Sequence, residues 1–512
     1  MYIAHKQGAN WMHSSINSFL LLLIYNILSK VKYGKILVIL LTFILCFDIT
    51  FAVLYRSPIS LGVMASIIET TWVESYSMLK GFWHIALFSL FLLLLFIFKS
   101  QKEVKESILN KKKSFLIFIT TSCLLFTYLY QTDIKGNEIE RYNLKTLPLL
   151  TVQKSIYRRL PLFFNDLIVY LCYRQEMRAM EKFIHAEKKI PDFLSFNEAN
   201  DQPEKIFLII GESSLRGSYS LYGYSLPTTP SLDSLSKLDN IEFIYYDAIA
   251  VAPLTREAIR LSLSFATPNY GMPFFTQKNI IDLANEVGYE TIWISNQDKL
   301  GIYDNNIGYV ASCAYDSYFL DSKSRDDLEL IKILESKLVK GKKQFIVLHM
   351  YGSHSWYGDR NDDIDKTALT NEINNDPTVL EYDRSIHHTD RFLKKVTDLM
   401  FQTDDKSILY YYSDHGEIVG KGHALFQKGG DQYEVPLIII NKDCNIQTDS
   451  IVKKYITPSL NAINTGNSIF ILSEFLGYDV LENRVKDAIK EGEYIYDVDG
   501  SAYLYETMPR HN

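Results

Sequence analysis

A chain of 512 residues with 47% hydrophobic and 13% aromatic content can bury a large core and has room for one to three domains. A formal charge of -7 gives no basic surface for nucleic acid, so nucleic acid is not an expected partner. Five cysteines without a Cys-x-x-Cys pair exclude a thiolate metal centre and a dense disulfide framework.

Three apolar runs dominate the first part of the chain. Residues 36–55 (ILVILLTFILCFDITFAVLY) form a run whose one acid is Asp48, and 83–98 and 114–130 are two more. Residues 15–29 form a shorter fourth. About 20 apolar residues cross a bilayer core. A soluble core helix of this length would carry a polar stripe. The pattern predicts a helical transmembrane domain of three to four spans over residues 1–134. Six lysines against two glutamates in 99–113, and three lysines in 30–35, mark the cytoplasmic side. The chain after Tyr130 is then expected outside the membrane. The first segment lacks an obvious small-residue cleavage site and is expected to be retained. In the outer loop, Ser66, Thr70 and Glu74 recur every four residues, so a helix there would align them on one face.

Residues 135–204 differ in character. An apolar patch containing Asn165 and Asp166 runs into a charged, helix-like stretch, which suggests a linker with an amphipathic helix lying at the membrane surface. An ordinary surface helix of the following domain is the alternative.

Residues 205–512 read as an α/β domain. Short apolar runs at 206–210, 291–295, 345–349, 408–413 and 436–440 predict buried strands. Helical patterns at 256–265, 280–287, 325–339 and 382–400 separate them, which predicts a mostly parallel sheet covered by helices. In such sheets, sites form at the carboxyl ends of strands. Those ends deliver Glu212; His349 and then His354; and Asp414, His415, Glu417 and His423. Carboxylate oxygen and imidazole nitrogen are zinc ligands in hydrolytic and transfer sites. Any one of these residues alone would be a loop or capping group.

The blocks GESSLRGSYSLYGY, APLTREAIRLSLSFATP, VLHMYGSH, YDRSIHHTDRFL and YYYSDHGE occur in that order. Together they resemble the bacterial phosphoethanolamine transferases of the alkaline phosphatase/sulfatase superfamily, over roughly residues 205–440. The resemblance implies an alkaline phosphatase/sulfatase-like domain with a Zn2+ site formed by Glu212, Thr255, Asp414 and His415. Thr255 would be the catalytic nucleophile. The serines after Glu212 would not be, and loop or capping roles suit Ser213 and Ser214. From the residues alone, a helix N-cap is the better reading of Thr255, and only the resemblance overturns it. His354 and His423 would bind substrate. Ser66, Thr70 and Glu74 match a polar row implicated in binding the donor lipid. The donor would be phosphatidylethanolamine and the acceptor lipid A, a lipopolysaccharide core or a periplasmic glycan. The protein is expected in the bacterial inner membrane as a monomer, its catalytic domain in the periplasm. A sulfatase needs a cysteine or serine in a C/S-x-P-x-R block, and Leu254–Thr255–Arg256 stands there instead. SWYGDR departs from the usual continuation of the GSH block, and the disulfides of some members have no counterpart. Two rivals stay open: a phosphoglycerol transferase of the same superfamily, and a non-catalytic membrane scaffold or lipid sensor.

Overall fold

A computed structural model of the protein describes residues 11–55, 58–69, 87–88, 90–95, 110–129, 131, 149, 162–183 and 186–509, the last stretch without 240, 298–305, 321–324, 371–375 and 427. The chain divides into two compact units, Met1–Ala179 and Met180–Asn512.

The described part of the first unit contains helices α1 (Trp11–Ser29), α2 (Gly34–Tyr55), α3 (Leu61–Glu69) and α4 (Lys111–Leu129), and α5 (Leu162–Phe183) begins there. Leu20, Leu125 and Leu129 pack together with Ile168 against them, joining α1, α4 and α5. Asn26 donates to Ser114 Oγ at 2.6 Å, and Asn165 to the Ile59 carbonyl at 2.9 Å. Many large apolar side chains of these helices point outward, among them Leu22, Leu40, Phe43, Leu116 and Leu124. Among the described residues, one helix, Lys111–Leu129, is long and apolar enough to cross a membrane; Ser15–Ser29 and Ile36–Ile49 are shorter apolar helices. Half of the expected span 83–98 and most of the lysine-rich 99–113 segment lie outside the described residues. So do Thr70, Glu74 and the side chain of Ser66, whose backbone belongs to α3.

The second unit is built on a nine-stranded sheet of β1 (Lys205–Gly211), β2 (Glu242–Ile249), β3 (Glu290–Ser295), β4 (Asp316–Phe319), β5 (Gln344–His349), β6 (Ser407–Ser413), β7 (Glu434–Lys442), β8 (Ile456–Thr457) and β9 (Ala462–Asn464). The spatial order is β4-β3-β5-β1-β6-β7-β2-β9-β8. The five strands from β4 to β6 run parallel. β7 is antiparallel to both β6 and β2, so the sheet is mixed on that side. β2 and β4 were not expected as strands. Their exposure is partial and they carry Glu242, Asp247 and Asp316, so neither reads as an apolar run.

Alternate residues of neighbouring strands fill one face of the sheet: Phe207 and Ile209, Ile292 and Ile294, Ile346 and Leu348, Leu409 and Tyr411, Ile438 and Ile440. Against them lies α7, Pro377–Gln402 (α6, Thr255–Ser262, starts at the nucleophile candidate). Tyr382, Ile386, Leu393, Val396 and Met400 recur on α7 at helical spacing and are all buried in that layer. Asp376 caps α7, accepting from the N–H groups of Thr378 and Val379, and Pro377 supplies a first-turn φ that needs no donor. The segment before β1 also belongs to this unit: Leu194–Phe196 pairs with Tyr478–Val480.

Candidate metal centre

Strand register brings the site together. In β1, Ile210 is level with His349 of β5, and Gly211 with Ser413 of β6. Glu212 and Asp414 therefore leave adjacent parallel strands at the same edge, with His415 next in line. Gly211 is required here, because a Cβ would lie 2.7 Å from the Tyr411 hydroxyl. Gly352, at φ +53, lies against the other side of Glu212; its Cβ would come 2.6 Å from the Glu212 carbonyl oxygen.

Glu212, Asp414 and His415 are all buried and offer ligand atoms within 4.8 Å of one another. His415 Nε2 lies 3.2 Å from Glu212 Oε1 and 3.5 Å from Asp414 Oδ2. Its Nδ1 lies 2.9 Å from the Gly416 carbonyl, an acceptor that fixes a proton on Nδ1 and turns Nε2 toward the acids. Asp414 Oδ1 accepts from the backbone N–H groups of His415 (2.7 Å) and Ser213 (3.3 Å), while Asp414 Oδ2 is buried and accepts none. Thr255 Oγ1 donates to Glu212 Oε2 at 3.0 Å and lies 3.3 Å from His415 Nε2. Thr255 opens α6, so first-turn N–H groups accompany its hydroxyl.

The field at this point favours positive charge. Burial, reinforced by Glu212, pushes the Asp414 carboxyl well above the usual range. Burial opposes protonation of His415, but Asp414 and Glu212 push it up to about 10. Burial also opposes ionisation of Glu212, and the His415 charge overrides it and holds the carboxyl well below its ordinary value. Two carboxylates, an imidazole Nε2 and a hydroxyl, with one buried oxygen left over, fit a divalent cation of the zinc type.

The two serines have other partners. Ser213, at φ 54, donates its hydroxyl to Glu212 Oε1 at 2.8 Å. Ser214 Oγ lies 2.6 Å from the Tyr219 hydroxyl, which lies 2.8 Å from that of Tyr411, in a buried hydroxyl chain. His423 packs at a tilt against His415 with ring centroids 4.0 Å apart, and His354 meets His423 edge-on at 6.2 Å. Glu417 Oε2 holds His423 Nδ1 at 2.7 Å, and Tyr357 donates to the other oxygen of Glu417 at 2.6 Å. His349 is buried deeper, its Nδ1 3.2 Å from Ser295 Oγ; burial pushes it down to about 4, so it is neutral. Gln297 was not foreseen. Its amide reaches Glu212 Oε2 (3.5 Å) and the Met350 carbonyl (2.9 Å). It stands just past the end of β3, so the strand-end reasoning that found Glu212 would have found it.

The sequence profile described as Sulfatase matches residues 204–471, more than half of the chain. Phosphoethanolamine transferase EptC of Escherichia coli O18:K1:H7 is 27% identical over 266 residues, covering 49% of this chain and 46% of its own length. The chain thus matches about half the length of such curated relatives. Among solved structures, the C-terminal periplasmic domain of EcEptC from Escherichia coli, a complex with Zn, aligns with a TM-score of 0.53 at 21% identity, over 62% of this chain and 98% of that one. The integral membrane protein lipooligosaccharide phosphoethanolamine transferase A (EptA) from Neisseria meningitidis aligns at 0.59 and 17% identity, over 90% and 87%. At these identities the structural likeness is one of fold.

Proposed function

The chain belongs to the sulfatase family, and we propose that it transfers phosphoethanolamine from phosphatidylethanolamine to a cell-envelope acceptor through a covalent intermediate on Thr255. The observation that carries this reading is the Thr255 hydroxyl, bonded to Glu212 and 3.3 Å from His415 inside the acid–histidine cluster. The curated relatives named as phosphoethanolamine transferases support the group transferred.

Glu212, Asp414, His415 and Thr255 would hold Zn2+. When bound, the ion supplies Lewis acidity that lowers the pKa of a coordinated hydroxyl and polarises a phosphoryl oxygen. Thr255 Oγ1 attacks the lipid phosphorus, the bond to diacylglycerol breaks, and phosphoethanolamine is left on Thr255. The hydroxyl proton already has an acceptor in Glu212 Oε2. First-turn N–H groups of α6 favour the developing charge on the phosphoryl oxygens. The leaving alkoxide takes a proton from His423 or His354, the imidazoles on the open side of the cluster. An acceptor hydroxyl, or a protonated phosphate, then attacks the phosphorus of phosphothreonine and gives its proton to the same imidazoles; the bond to Oγ1 breaks, and Glu212 returns its proton to Oγ1. His423 suits this role because Glu417 fixes its Nδ1 and leaves Nε2 to exchange the proton.

The outward apolar surface of α1, α2 and α4 supports an inner-membrane anchor, with the catalytic unit in the periplasm. A periplasmic-only reporter fused after Asn512 should be active there. A phosphoglycerol donor remains the second reading within the same chemistry, and donor-lipid mass spectrometry separates the two.

The test is mass. Full-length protein incubated with phosphatidylethanolamine should carry one phosphoethanolamine, mapping to Thr255. Thr255→Ala should lose the adduct and the transfer while keeping its fold, and Ser213→Ala or Ser214→Ala should be mild. Robust transfer by Thr255→Ala would sink the assignment.

A further inference from the structure

One cationic patch lies beside the reaction centre and takes no part in the steps above. Tyr351 follows the end of β5, and its ring centroid is 5.2 Å from that of His354. The Arg360 guanidinium lies 4.4 Å from the Tyr351 ring centroid and that of Arg325 lies 5.1 Å from it. Two like charges therefore share one aromatic ring. Arg325 donates to the Asn296 carbonyl at 2.9 Å. The Nε and Nη1 groups of Arg360 are shielded from water and have no hydrogen-bond partner. Two carboxylates, Asp327 and Asp359, lie near Arg360, and Asp327 is committed elsewhere: it accepts from the backbone N–H groups of Tyr351 and Gly352 and from the Asn296 amide, each at 2.8 Å.

Orphaned guanidinium donors are costly to bury, and an arginine guanidinium presents planar N–H pairs that match the oxygens of a phosphate. Burial, and to a lesser degree Arg325, loosen the hold of Arg360 on its proton, a direction that a bound anion reverses. The loop that delivers Arg360 is itself strained, with Trp356 at φ 67 and 41% exposed. From the metal cluster, the patch is reached through the rings of His423 and then His354. That puts it beyond the phosphoryl group held at Thr255 and within reach of a second anionic group.

We infer that Arg360 and Arg325 form an anion subsite that reads a phosphate on the acceptor, next to the atom that attacks the loaded Thr255. This rests on the transfer reading above. The same chemistry could come from the donor lipid, and the two half-reactions separate the sources.

Full-length protein is loaded from phosphatidylethanolamine, with intact mass as readout, then discharged by a phosphorylated sugar (glucose 1-phosphate) or a neutral one (octyl glucoside). Arg360→Gln should load at the wild-type rate and discharge to the neutral sugar normally. Its KM for glucose 1-phosphate should rise roughly 10-fold or more, with kcat little changed. Arg325→Gln should move the same way. Arg360→Lys, which keeps the charge without the fork, should fall between, and all variants should melt with the wild type. Equal losses with both sugars, or a loading defect as large as the discharge defect, would overturn the inference. A binding arm is independent of turnover: on Thr255→Ala protein, Arg360→Gln should weaken calorimetric binding of glucose 1-phosphate roughly 10-fold. If that loss is seen while wild-type protein is never loaded, the anion site stands and the transfer reading falls. If loading occurs and binding is unmoved, the anion site falls alone.

Discussion

Tyr382→Phe removes one oxygen from the second turn of α7 and should loosen the loop that carries Glu212. The Tyr382 hydroxyl donates to the Ser213 carbonyl at 2.8 Å and accepts from the Leu215 N–H at 2.7 Å. Tyr382 is fully buried, and Ser213, between Glu212 and Ser214, sits at φ 54. A serine in that region is held there at a cost of about 1–3 kcal/mol, so its neighbours must fix it. The substitution keeps the ring and its packing. It leaves one buried acceptor and one partly buried donor unmatched, each worth about 1–3 kcal/mol. We expect a loss of about 2–4 kcal/mol for the catalytic unit. With an unfolding entropy of about 2.1 cal/mol/K per residue, that is a fall of roughly 3–6 °C in Tm. Zinc affinity should fall with it, because the freed loop can turn Glu212 away. Thermal melting with and without metal, and competition for zinc with a chromophoric chelator, measure both. A variant that melts within about 1 °C of wild type and holds zinc as tightly would refute the claim that Tyr382 braces the ligand loop.

Glu257→Ala strips the buried partner of Arg256 (2.6 Å) and Arg260 (2.5 Å) and should destabilise by about 3–5 kcal/mol, read in the same melts. His388 ties Asp326 (2.9 Å) to Asp365 (2.8 Å), with Arg391 and His387 on the same carboxyl of Asp365 or its mate. Burial opposes the His388 charge, but these acids push it up to about 9, while Asp365 keeps its charge throughout. A raised histidine gives its stability in full below about 6.5 and loses it as pH rises through 9, so about 3 kcal/mol should disappear over that window, and His388→Gln should flatten the profile. Glu74→Ala should raise the KM for phosphatidylethanolamine while Thr255 still loads slowly at high lipid; unchanged kinetics on membrane-embedded lipid would show that this face is structural.

The site was legible where chemistry coincides with a strand end. IFLIIG followed by Glu212, and YYYS followed by Asp414 and His415, announce both the strand and the ligand in one stretch. Thr255 was not legible from its residues alone, since it looks like an N-cap and does open a helix. Only the ordered family blocks singled it out. Tyr382 acts through contacts with residues 169 and 167 positions away, which no local pattern encodes. The same limit explains β2, whose burial depends on a neighbour, β7, that runs against the direction of the other strands.

All five cysteines are free, and burial pushes the thiols of Cys313 and Cys444 up to about 11 and about 12. What fastens distant segments of the catalytic unit is ionic: Asp326, Asp362 and Asp365 clasped by His388 and Arg391, and Lys205 on Asp405 at 3.0 Å beneath β1. Fasteners of this kind close as the chain folds and ask for no oxidant. A cell starved of thiol-oxidising machinery should still mature this domain at its normal rate, and a reductant added from outside should find nothing to cut. Hydroxide loosens the clasp at His388 alone, by taking the proton that binds it to Asp326 and Asp365.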